Sequence, residues 1–79
     1  MDSDKLDRSL VDAHARHDLP ALVRLYTLAG NQAEMRQDLD AASFYLTHAY
    51  VFALELGAPE ANALNKWLAD HGRAHRLTF

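Results

Sequence analysis

Hydrophobic positions recur along the whole chain at intervals of three and four residues. Leu6, Leu10, Ala13 and His17 follow this rhythm, as do Leu22, Leu25 or Tyr26, Ala29 and Ala33. Leu39, Ala42, Leu46, Ala49, Ala53 and Leu56 hold it for about five turns. Ala61, Leu64, Leu68 and His71 form a shorter fourth stripe. Each set falls on one face of an α-helix.

Local chemistry marks where the helices begin and end. Asp18 can accept hydrogen bonds from free amides as an N-cap, and Pro20 suits a first turn, where its missing N–H is not needed. Asp38 can cap the third helix in the same way. Gly57 can close that helix in a left-handed conformation, Pro59 starts the next, and Gly72 offers a final stop. The pattern predicts helices over 3–16, 19–36, 38–56 and 59–71. The connections are so short that successive helices should be antiparallel neighbours. The expected fold is all-α: a four-helix antiparallel array over residues 1–72, followed by a short basic and apolar tail, 73–79. Gly30 interrupts the second helix beside Ala29 and Ala33, which suggests close approach of another helix backbone.

The third helix is apolar on more than one face, with Ala41, Phe44, Tyr45, Val51 and Phe52 outside its main stripe. A helix of this kind is central or covered by a partner. Phe44, Tyr50, Val51 and Leu54 are read as a patch on its solvent side. A contiguous patch of large apolar residues marks an interface, so a homodimer is expected.

The chain also resembles itself at an offset of 20 residues. His17-Asp18-Leu19-Pro20-Ala21 precedes the second helix and Gln37-Asp38-Leu39-Asp40-Ala41 the third; Thr27 and Ala29 are echoed by Thr47 and Ala49. A helix hairpin used repeatedly is the unit of α-solenoids. At these residues the chain resembles a tetratricopeptide repeat, best over residues 25–59. Tyr26 stands at that family's large aromatic position and Gly30 at its helix-packing glycine. Asp38-Leu39-Asp40-Ala41-Ala42 matches its turn and second-helix start, with Ala49 at the next small position. Gln37 replaces the family's turn glycine. The resemblance implies a non-catalytic module that binds a protein segment on the first helix of the hairpin, here Arg24, Thr27, Asn31 and Glu34. These four also share one side of a helix by spacing alone. Thr27 stands where some members carry a lysine that clamps a terminal carboxylate, so no such clamp is implied.

Composition removes most other functions. The hydrophobic share of 49% is that of a folded domain. The absence of cysteine excludes disulfides, thiolate zinc sites and cysteine nucleophiles. A net charge of −3 argues against general nucleic-acid binding. The three glycines are isolated, so no phosphate loop is present, and Ser3, Ser9 and Ser43 lack a nucleophile-elbow context. Neither enzyme activity nor a cofactor is expected. The longest near-apolar run, Ala49 to Leu54, is far below membrane-spanning length, and no targeting signal is legible; a cytoplasmic location is the expectation. His14 and His17, three apart, and His71 and His75, four apart, leave a metal- or ligand-sensing alternative open. His48 reads as a half-buried histidine with one hydrogen bond. An antitoxin or anti-enzyme partner of a neighbouring gene product is the remaining alternative. Adaptor or regulatory subunit is the leading reading.

Overall fold

The computed structural model describes residues 3–72. It contains α1 (Ser3–Ala15), α2 (Leu19–Met35), α3 (Leu39–Leu56) and α4 (Glu60–Asp70), and no strand among the described residues. The all-α array is as the periodicity predicts, each helix end within one residue of expectation. Residues 73–79, read above as a tail, lie outside the described residues, as does His75.

The three connections use one device. Asp18 Oδ1 accepts from Ala21 N at 3.2 Å and Asp38 Oδ1 from Ala41 N at 3.1 Å, so both N-caps form. The residue before each aspartate is left-handed: His17 has φ 52° and Gln37 φ 61°. Asp18 N then reaches back to Ala13 O (3.0 Å) and Asp38 N to Ala33 O (2.9 Å), satisfying carbonyls that the preceding helix leaves open. Gly57, φ 72°, makes the third turn, with Ala58 N bonded to Ala53 O at 2.9 Å.

Packing runs in chain order, α1 on α2, α2 on α3 and α3 on α4. One core, between α1 and α2, holds Leu6, Leu10, Ala13, Leu22 and Leu25. The other joins Val23 of α2 to Leu46, Ala49, Tyr50 and Ala53 of α3 and to Ala61, Leu64 and Leu68 of α4. Tyr26 and Phe52 pack against both, and so tie the two cores together. Of the third stripe, Ala42, Leu46, Ala49 and Ala53 are buried, while Leu39 and Leu56 at its ends are exposed.

Two sequence expectations are corrected. Tyr50 does not lie on the solvent side of α3. It is 9% exposed, inside the core against α4. A helix apolar on several faces gives periodicity no means of choosing its outer one, and α4 covers the side that carries Leu46, Tyr50 and Ala53. Gly30 does mark a close approach, but to a side chain. A Cβ there would lie 2.5 Å from Cγ and Cδ2 of Leu46.

Candidate functional site

Because each connection reverses the chain, α2 and α4 run in the same direction on either side of α3, and a groove lies between them. Arg24, Thr27 and Asn31 recur at three and four residues on α2 and so fall on its groove side. At one end Pro20, Val23, Arg24 and Thr27 face Leu56 and Glu60 across a depression of about 380 Å³. Thr27 and Glu60 continue into a second depression of about 250 Å³, lined further by Asn31, Leu46, Ala63, Leu64 and Trp67. Buried Leu46 and Leu64 make its floor apolar.

The groove's far end is closed by a hydrogen bond. Trp67 Nε1 donates to Glu34 Oε2 at 2.6 Å, joining residues 33 apart in sequence. His71 stacks on the same indole at a centroid distance of 3.8 Å, and its Nδ1 donates to Trp67 O at 2.8 Å.

The structure therefore brings Arg24, Thr27 and Asn31 together as lining residues. Glu34 is on the same side, with its carboxylate engaged by Trp67. Glu60, Ala63 and Trp67 are lining residues that sequence reasoning missed. Trp67 occurs once in the chain and follows Leu64 by three residues, so its spacing marked a helix face, but not the helix it would meet.

Charge at the groove is sparse and unspent. Arg16 pairs with Asp12 at 2.7 Å and Lys66 with Asp70 at 2.8 Å, both on exposed surface. Arg24 and Glu60, at the groove's open end, form no ion pair among the described residues.

The outer face of α3 is separate from this groove. Phe44, Val51 and Leu54 are 58%, 45% and 40% exposed. Asp40 and Glu55 bracket them, and no Asp, Glu, Lys or Arg falls between those two residues. Tyr50, grouped with them above, is in the core instead.

Two of the histidines, His14 and His48, join an aromatic cluster around Tyr26. His14 Nε2 lies 2.8 Å from the Tyr26 hydroxyl, and its ring meets Phe52 edge-on at 5.8 Å. His48 stacks on Tyr26 at 5.0 Å and donates from Nδ1 to Phe44 O at 2.8 Å, the half-buried single hydrogen bond expected of it. Tyr26 has its pKa raised above the usual tyrosine value, by burial first and by neighbouring Tyr45 second. Among the described residues no three or more His, Asp or Glu side chains gather to hold a metal ion.

What this defines is an all-α helical array with a groove between its second and fourth helices. In comparisons with protein-family models, curated proteins and solved structures, nothing matches the chain. Among the described residues, no helix is long and apolar enough to cross a membrane.

Proposed function

We propose that the chain is a small non-catalytic interaction module, an adaptor or regulatory subunit, that binds a protein segment along the α2–α4 groove. One observation carries this reading. Three residues named from the tetratricopeptide resemblance, Arg24, Thr27 and Asn31, line the same groove as Trp67, Leu64 and Glu60 of α4. The groove combines an apolar floor with polar groups at its rim, the composition that gives a peptide site both affinity and register. The test is recovery of a partner from the native cell, followed by its affinity for Arg24→Ala and Asn31→Ala variants. Each should weaken binding without lowering the melting temperature. A partner that binds both variants as well as the parent chain refutes the groove.

A homodimer belongs to the same proposal, through the exposed and uncharged stretch of α3 that presents Phe44, Val51 and Leu54. A two-fold contact would let that face cover its own copy. Sedimentation equilibrium tests it with Phe44→Glu and Val51→Glu. Tyr50→Glu is unsuitable, because it would place a charge in the core. A parent chain that sediments as a monomer at micromolar concentration removes the dimer.

A further inference from the structure

We infer that the groove's occupant is an extended peptide with neighbouring acidic and basic side chains and, about three residues away, one large aliphatic side chain. This rests on the groove being the binding surface and adds the chemistry of what fills it.

The charges set one end. Arg24 on α2 and Glu60 on α4 line the same depression from opposite walls, and neither has an ion-pair partner among the described residues. Arg16 is paired with Asp12 and Lys66 with Asp70; Arg24, like Arg8 and Arg36, has no such pair among the described residues, but it alone of these faces an unpaired carboxylate residue across a groove. Unpaired and on opposite walls of one depression, Arg24 and Glu60 complement a ligand carrying one charge of each sign. Arginine also offers a planar fork that a carboxylate can meet with two hydrogen bonds.

The apolar floor sets the other end. Leu46, Ala63, Leu64 and Trp67, with Thr27, Asn31 and Glu60 around them, line an open depression of about 250 Å³, room for one large side chain. The only indole N–H there is already donated to Glu34, so the ring presents its apolar surface. Asn31 stands at the rim with an exposed side chain suited to a peptide backbone.

Spacing links the two ends. From Arg24 to Asn31 is seven residues of helix, about 10 Å along its axis. An extended peptide covers that distance in about three residues at roughly 3.3 Å each. The pattern is thus an acid–base pair with Leu, Ile or Met about three positions from the acid, in one of two chain directions.

Trp67 is the chain's one tryptophan and lines the groove, so its emission reports occupancy. The full chain is titrated with acetylated, amidated decapeptides of Ser and Gly that carry Asp-Arg-Ser-Leu or the reversed order Leu-Ser-Arg-Asp. One order should shift Trp67 emission saturably. Changing the peptide's Asp to Lys, or its Leu to Ser, should weaken binding at least tenfold. The variant R24E, checked for folding by circular dichroism, should reverse the preference between Asp and Lys. Overturning results are no saturable shift with either order, or equal binding of the Asp and Lys peptides. The groove itself is judged separately, by whether Arg24→Ala and Asn31→Ala weaken a partner recovered from the cell. A partner that depends on those residues while the designed peptides fail leaves the groove standing and the pattern refuted.

Discussion

The turn at Gly57 can be played against those at His17 and Gln37 to measure what the left-handed turn costs this fold. All three residues have positive φ: 72°, 52° and 61°. An added Cβ at Gly57 would meet nothing among the described residues within 4 Å, so Gly57→Ala introduces backbone strain without a clash. A left-handed residue other than glycine costs about 1–2 kcal/mol. Restricting the unfolded chain returns about 0.4–1 kcal/mol. Gly57→Ala should therefore destabilise by about 1 kcal/mol. Gln37→Gly and His17→Gly should each stabilise by about 0.5–1 kcal/mol, since both side chains are exposed and little contact is lost. In a domain of this size, 1 kcal/mol moves the melting temperature by about 4–8 °C, well within reach of thermal melts followed by circular dichroism. Gly30→Ala separates strain from crowding. Its Cβ would press on Leu46, which is buried, and overpacking of about 1–3 kcal/mol should outweigh the helix-propensity gain of about 1 kcal/mol. If Gly57→Ala melts with the parent, or Gln37→Gly melts below it, left-handed strain is not what these turns carry.

Tyr50→Phe should raise stability to urea by about 1 kcal/mol, because the Tyr50 hydroxyl is buried with no hydrogen-bond partner among the described residues and its desolvation is uncompensated; a fall would mean that the hydroxyl finds a partner in solution. Glu34→Gln should weaken the bond from Trp67, lowering stability by about 1 kcal/mol and shifting Trp67 emission; an unchanged spectrum would place the indole elsewhere. Tyr26 makes stability depend on alkaline pH: with the folded pKa raised, the unfolded chain loses this proton first. Its contribution is complete below about pH 10 and is lost as pH rises through the folded value. Tyr26→Phe should flatten the decline above pH 10 in melts at stepped pH, and a parallel decline would show that other groups cause it.

The helices were legible because their signals are local. An apolar residue every third or fourth position, an aspartate at the N-caps of α2 and α3 and a glycine after α3 each act within a turn of themselves. Face assignment was less legible where a helix has no polar side. α3 carries apolar or small residues almost all round, so the sequence supported several outer faces. The structure buries Tyr50, which resembles a solvated residue only by its hydroxyl, and leaves Phe44 exposed. The same limit applies to the groove. Its α2 wall was legible from spacing and resemblance. Its α4 wall depends on a contact between Glu34 and Trp67 that no periodicity links.

The repeated turn explains why the two walls meet as they do. His17-Asp18 and Gln37-Asp38 reverse the chain with the same left-handed residue, the same back-bond to the preceding helix and the same aspartate cap. Gly57 performs the reversal a third time without a side-chain cap, leaving Pro59 to set the first turn of α4. After two like reversals, α4 must run parallel to α2. Parallel walls put the helix starts together at one end of the groove, with Arg24 near Glu60, and the helix ends together at the other, with Glu34 bonded to Trp67. A single antiparallel hairpin would bring the start of one helix against the end of the other and could not produce this arrangement. The order of the groove, with Arg24 and Glu60 at one end and the Glu34–Trp67 bond at the other, follows from the two short turns between α2 and α4. Changes that lengthen either turn should therefore disturb the Glu34–Trp67 contact, read as a shift in Trp67 emission, even where they spare every side chain in the groove.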